Sequence, residues 1–240
     1  MPIRPANYSD LRPAAEAAAA AFDGEELFGA LLHPHRHEYW EDYVRYFERD
    51  FRVKWLQRKY VILVAVDEDG KVVGMAKWER QGDGGKAREV GRLDPRSLIH
   101  PLASLYTGIE KWIWPNRAAN PAKANVLQES FPLFAHHWEG GRRENWYLDL
   151  LAVHPASQGK MYGRELVQWG IDEAGKEGVP ASVISAKGKE RFYGRFGYVE
   201  VGRSNVGPLA GLEGGAIMFN MRRLERIESK VSRDDEMRSR

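Results

Sequence analysis

Two periods of apolar and polar positions succeed each other along this chain. From Leu11 to Phe22 alanine dominates the sequence LRPAAEAAAAAF. Alanine has the highest helix propensity, so a helix is predicted there, capped by Ser9 or Asp10 and stopped at Asp23-Gly24. After Pro34, Tyr39, Tyr43, Tyr46, Phe47 and Phe51 recur three and four positions apart with charges between them. That spacing predicts a second helix with one aromatic face, running to about Gln57. The pattern then becomes that of strands. Tyr60 to Val66 is a continuous apolar run, Asp67-Glu68-Asp69-Gly70 is a turn, and Lys71 to Glu79 is the hairpin partner. Ile3-Arg4-Pro5-Ala6 is a short strand-like entry.

Gln81-Gly82-Asp83-Gly84-Gly85 breaks the pattern. Residues 80–143 are the least regular part, with several prolines and the aromatic residues Tyr106, Trp112, Trp114, Phe131, Phe134 and Trp138. Leu102 to Ile113 and Ala122 to Phe134 are predicted helices. A structureless connection of this length is improbable in a compact domain, so the region is expected to be a mostly helical insertion packed on the core. Regular patterning returns at Trp146. Tyr147 to Val153 reads as a strand, Tyr162 to Lys176 as a helix, and Ala181 to Ala186 as a strand. Lys189 to Phe196 is a short helix, and Tyr198 to Ser204 and Ala216 to Arg222 are closing strands. The expectation is one α/β domain over 1–222 and a charged tail over 223–240, in which Leu224, Ile227 and Val231 hint at a short amphipathic helix.

Composition narrows the function classes. The 36 basic and 34 acidic residues leave a net charge of +2, too balanced to point to nucleic acid as a partner. With no cysteine, the chain has no disulfide, thiolate metal ligand or cysteine nucleophile. The start, MPIRPANYSD, lacks a leader pattern, and the longest apolar runs, such as Val61 to Val66, are too short to cross a bilayer. A cytoplasmic protein without membrane partners, monomeric or homodimeric, is expected.

The chemistry concentrates between Tyr147 and Tyr198. In YLDLLAVHPASQGKMYGRELVQWG, residues 147–170, a strand ends at His154-Pro155 and a glycine-containing loop feeds a helix. Amides at a helix start are unsatisfied and, with the helix dipole, form an anion site suited to a diphosphate. Gly159 and Gly163 let the backbone approach such a group. A loop of this kind is common and is weak evidence taken alone. The second segment is KERFYGRFGY, residues 189–198.

Together the two segments resemble the GNAT superfamily of N-acetyltransferases. Leu150-Leu-Ala-Val-His-Pro155 is similar to the end of its fourth strand, and Gln158 to Gly163 to its acetyl-CoA loop (Arg or Gln, two residues, Gly, one residue, Gly or Ala). Phe192-Tyr-Gly-Arg-Phe-Gly-Tyr198 is similar to its C-terminal helix–turn–strand signature, and Ile3 to Ala6 to its first strand. Within the superfamily the likeness is greatest to fungal and arylalkylamine-type members. The resemblance implies a strongly twisted, mostly antiparallel mixed sheet that splays between strands 4 and 5, with helices on both faces. It implies acetyl-CoA as cosubstrate. Main-chain groups of Leu151, Ala152 and Val153 would pair with the pantetheine arm, and Gln158, Gly159, Lys160, Met161, Tyr162, Gly163 and Arg164 would hold the diphosphate. Tyr193 matches the tyrosine that protonates the departing thiolate, a task suited to a phenol of pKa ~10. Asp149 falls where related enzymes carry a histidine base. With a reference pKa of ~4 it can act as base, bind the acceptor ammonium, or simply pair with a cation. Met161 departs from the pattern, standing where the family's first loop glycine lies.

Other candidates carry less. His154 at the strand end reads as structural. His33, His35 and His37 lack a clear second set of ligands, so no metal is expected. His136-His137 are candidates for the acceptor side, and Lys187, Lys189 and Arg191 are candidates for a nucleotide phosphate. The aromatic first region and the insertion flank the expected acceptor cleft, which favours a small, partly apolar amine. A protein or peptide N-terminal acetyltransferase and a non-catalytic acyl-CoA-binding module remain as alternatives.

Overall fold

The computed structural model describes residues 3–89 and 95–221. Seven strands form one open sheet: β1 (Ile3–Pro5), β2 (Tyr60–Val66), β3 (Val72–Arg80), β4 (Trp146–Val153), β5 (Ala181–Ser185), β6 (Tyr198–Arg203) and β7 (Ala216–Asn220), in spatial order β1-β2-β3-β4-β5-β7-β6. Every pairing is antiparallel except β4 with β5. The helices are α1 (Leu11–Ala21), α2 (Trp40–Trp55), α3 (Gly82–Glu89), α4 (Pro95–Ile113), α5 (Val126–Phe134), α6 (Tyr162–Glu177) and α7 (Glu190–Gly194). None of the described helices is long and apolar enough to cross a membrane.

Strand β2 explains why its sequence is apolar without alternation. Ile62, Val64 and Val66 face one core with α1 and α2, whereas Leu63 and Ala65 face a second core with α6. A strand buried on both faces must be hydrophobic at every position. On the α6 side Gly170 lies flush against the indole of Trp78, whose Nε1 donates to the carbonyl of Leu166 at 3.1 Å.

Strand β4 breaks alternation in a way that creates the site. Trp146 and Leu148 belong to the α6 core, yet Leu150 and Ala152 belong to the α1/α2 core. The cause is a bulge. Lys77 of β3 pairs with Leu150 and the next residue, Trp78, pairs with Leu148, so Asp149 is the extra residue. Beyond it β4 leaves β5. Their parallel pairing covers only Trp146–Ala181, Tyr147–Ser182 and Leu148–Val183, and the two strands then splay apart.

Two local readings are corrected. Residues 81–85 do not simply interrupt the chain, because Gly82–Glu89 is helical. The carboxylate of Glu144 accepts the N–H groups of Asp83 and, at 3.1 Å, Gly84, which supplies the missing cap. Gly85 is needed there because a Cβ would collide with the Arg80 carbonyl. Glu26–Leu32 forms a wide π-type turn, started by Glu25, whose carboxylate accepts from Leu27 and Phe28 at 3.0 and 2.7 Å. The second predicted helix also starts later than Pro34, at Trp40, after a series of turns. The charged tail predicted over 223–240 lies outside the described residues.

Candidate active site

The splay between β4 and β5 opens a cleft of about 1640 Å³. Of the predicted site residues all but Lys160 line it: Asp149, Leu151, Ala152, Val153, Gln158, Gly159, Met161, Tyr162, Gly163, Arg164 and Tyr193. Its size exceeds that of drug-sized ligand pockets and suits an extended molecule.

At the end of β4 the His154 N–H bonds the Val73 carbonyl at 2.8 Å. Antiparallel alternation from that bond turns the main-chain groups of Ala152 toward β3 and those of Leu151 and Val153 toward the cleft. The expectation for the three residues is thus divided. Leu151 and Val153 present polar backbone to the splay, and Ala152 uses its own in the sheet. The loop that follows is tied down locally. His154 Nδ1 accepts the Ala156 N–H at 3.3 Å, and Gln158 Nε2 donates to the Val153 carbonyl at 3.0 Å.

The chain then enters α6 through two left-handed residues, Gly159 at φ +79° and Met161 at φ +67°. Among the described residues Met161 is the one non-glycine residue with positive φ. This conformation explains why a glycine suits the position, and it costs a side chain roughly 1–2 kcal/mol. The Met161 side chain is about half exposed. The Met161 carbonyl accepts from Arg164 and Glu165 at 2.9 and 3.1 Å, but no acceptor among the described residues meets the N–H groups of residues 159–163. Five donors without an internal acceptor therefore gather at the positive end of a 16-residue helix, in a segment of which all but Lys160 borders the cleft.

Opposite the loop, Tyr193 of α7 is buried, its ring against Phe192 at 5.1 Å and Tyr198 at 5.7 Å. Burial pushes its phenol above the ordinary tyrosine value, so it holds its proton at neutral pH.

At the bulge, Asp149 meets Lys77 of β3, Nζ to Oδ2 at 2.9 Å, and the same ammonium also pairs with Asp50 of α2. Lys77 is buried. Burial opposes its charge, but Asp149 and Asp50 outweigh burial and hold the ammonium above the usual lysine range. Two carboxylates thus share one cation. Aromatic groups surround them: the Phe51 ring lies 5.7 Å from Lys77 Nζ, and burial together with Asp50 pushes Tyr46 up to about 12. Burial and Asp149 likewise raise Tyr147. Phe22 and Phe28, stacked into the same aromatic cluster, line the cleft.

Lys77 and Asp50 were not singled out from the sequence. One signal was available for Lys77: it is a charged residue in the middle of a strand otherwise apolar at that depth, and buried charges are paired. Other candidates sit elsewhere. His33 is buried, its Nδ1 at 2.8 Å from the Phe28 carbonyl. His137 packs against Gly202 of β6. Lys187 lines the cleft but bonds Glu213 at 2.6 Å. No group of three metal-ligating side chains occurs among the described residues.

Comparison with known proteins agrees with this geometry. Residues 122–213, under half of the chain, match the family model described as Acetyltransferase (GNAT) domain. That stretch contains β4, the loop, α6, β5, α7 and β6. The fold is similar to a histone acetyltransferase HPA2 and related acetyltransferase from Corynebacterium glutamicum (TM-score 0.55, 18% identity, 91% of this chain and 94% of that one). It is also similar to an N-acetyltransferase from Staphylococcus aureus Mu50 (TM-score 0.54, 16% identity, 91% and 98%). A third likeness is to the PaiA N-acetyltransferase of Thermoplasma acidophilum, solved in complex with coenzyme A (TM-score 0.50, 12% identity, 91% and 97%). No curated protein matches the sequence.

Proposed function

We propose that this protein, whose residues 122–213 match the model of the GNAT acetyltransferase domain, transfers an acetyl group from acetyl-CoA directly to the amine of a small, partly apolar acceptor. The observation that carries the proposal is the set of five unengaged amides, residues 159–163, at the mouth of α6 beside the splay. The residues present fit the cosubstrate. A diphosphate would satisfy those donors and meet the helix dipole. The outward backbone of Leu151 and Val153 would pair with the amide groups of its arm as an added strand does. When bound, acetyl-CoA supplies an activated acetyl group on a thiol leaving group.

The chain's own residues account for the rest. Asp149 gives Oδ2 to Lys77, and Oδ1, which has no bond among the described residues, takes the acceptor ammonium. The excess of carboxylate over ammonium in the Asp50–Lys77–Asp149 group favours a cationic acceptor there. Phe22, Phe28 and Tyr46 cover its apolar part. The acceptor nitrogen must lose a proton, and Asp149 receives it directly or passes it through water. The N–C bond forms as the C–S bond breaks, and Tyr193 Oη delivers a proton to the sulfur. No acyl-enzyme is required, because holding both reactants in one cleft provides the orientation.

A thiol-release assay across arylalkylamines, polyamines, amino sugars and peptides, run beside calorimetry with acetyl-CoA, tests the proposal. Release with a small apolar amine is expected. Binding of acetyl-CoA without release on any acceptor would leave a non-catalytic module, and release on peptides alone would make the chain an N-terminal acetyltransferase.

A further inference from the structure

Helix α4 is mounted with its apolar side outward. On a helical projection His100, Ala103, Thr107 and Glu110 share one narrow stripe, and this stripe faces α2. Thr107 and Glu110 are 7% and 8% exposed. The attachment is polar. Arg52 Nη2 bonds Glu110 Oε2 at 2.7 Å, Arg49 Nη2 bonds the Trp114 carbonyl at 2.9 Å, and Gln57 Nε2 meets His100 Nε2 at 3.0 Å.

Leu102, Leu105, Tyr106, Ile109, Trp112 and Ile113 form an adjoining arc that faces solvent, with Leu102 67% and Trp112 82% exposed. Ile99 extends this arc and is also exposed. Elsewhere in the molecule amphipathic helices bury the apolar arc, as α1 and α6 do. Taking roughly 120–150 Å² for a whole Leu or Ile side chain and about 200 Å² for an aromatic one, the stripe leaves on the order of 650 Å² of apolar surface in water. Monomers rarely expose a patch of that size, whereas a stable interface buries about 800 Å² on each partner.

We propose that this face is the interface of a homodimer, in which α4 crosses α4 of a second copy about a two-fold axis near Leu105 and Ile109. The stripe is about 21 Å long from Ile99 to Ile113 at 1.5 Å per residue. It contains no charge, so it is complementary to itself, as an isologous contact requires. A chain of net charge +2 offers little repulsion to its own copy. A membrane surface fits less well. Helices that lie on membranes carry many Lys and Arg on the polar face, whereas the remaining exposed arc of α4 holds Pro101, Ser104, Gly108 and Lys111.

Sedimentation velocity of the full chain at 1–50 µM tests the proposal. The expected mass is about twice the 27.4 kDa of one chain, falling to one chain in Leu105→Glu/Ile109→Glu with unchanged circular dichroism. Because the chain has no cysteine, Ile109→Cys should form a covalent dimer on mild oxidation, and Ala210→Cys, exposed beyond β6, should not. A wild-type mass of one chain throughout this range would overturn the proposal. So would a dimer that survives the double substitution. Flotation of a one-chain species with vesicles of phosphatidylcholine and phosphatidylserine would give the face to a membrane instead.

Discussion

Replacing Lys77 by methionine tests whether one buried ammonium holds together two carboxylates from different elements. Methionine keeps most of the aliphatic volume and removes the charge, so Asp50 of α2 and Asp149 of the β4 bulge lose the cation they share. Breaking a buried pair by deleting one partner costs about 3–5 kcal/mol. Here the carboxylates are 37% and 31% exposed, so water takes over part of the role. The expected loss is therefore roughly 2–3 kcal/mol at pH 8, or about 5–10 °C in Tm for a chain of this size. The pH dependence sharpens the test. In the wild type the folded-state pKa of Lys77 is raised, so its contribution is fully present below the unfolded lysine value of ~10.4 and is lost only as pH rises beyond it. In the variant the two carboxylates face each other without a cation, so the deficit should be present at pH 8 and should not grow toward pH 5. Guanidinium unfolding followed by circular dichroism at pH 5 and pH 8 reads this directly. Adding Asp50→Asn to Lys77→Met should recover part of the loss at pH 8. A variant as stable as wild type at pH 8, or a deficit that grows toward pH 5, would refute the reasoning.

Four further outcomes follow from the geometry. Tyr193→Phe should lower kcat on the order of tenfold to a thousandfold and leave acetyl-CoA affinity by calorimetry unchanged; unaltered kcat would remove Tyr193 as the acid. Because burial raises its phenol, the alkaline limb of kcat assigned to Tyr193 should lie above the ordinary tyrosine value of ~10, and a limb below that value would point to another group. Met161→Gly relieves a left-handed side chain, so coenzyme A should bind as tightly or more tightly; a large loss of affinity in calorimetry would mean that the Met161 side chain itself serves the loop. Gly170→Ala would drive a Cβ into the Trp78 indole, and the overpacking should destabilise by about 1–3 kcal/mol, partly offset by alanine's helix propensity; a Tm at or above wild type would contradict the packing.

Where the chemistry is local, the sequence displays it. The apolar run of β2, the alanines of α1 and the strand–loop–helix from β4 into α6 are each set by neighbours in sequence, and the structure places them as their periods predict. The bulge at Asp149 is different. A period of two assigns Trp146, Leu148, Leu150 and Ala152 to one face, and only the pairing with Lys77 and Trp78 shows that they divide between two cores. The Asp50–Lys77–Asp149 group joins residues far apart in the chain, and no spacing rule brings them together. The glycines of helix α3 look like a breaker in sequence because the cap comes from Glu144, some sixty residues on. The periodicity of α4 was legible, but a period does not say which arc faces inward. Here the Arg49 and Arg52 contacts with Glu110 decide it.

The central claim is that the amides of residues 159–163 grip the diphosphate of coenzyme A. Titration of ¹⁵N-labelled protein with coenzyme A and, separately, with its dephosphorylated pantetheine fragment measures this amide by amide. The account predicts large shifts at Gly159 to Gly163 that saturate with the full molecule and are absent with pantetheine, which reaches only Leu151 and Val153. Saturable binding that leaves those five amides unmoved would contradict it.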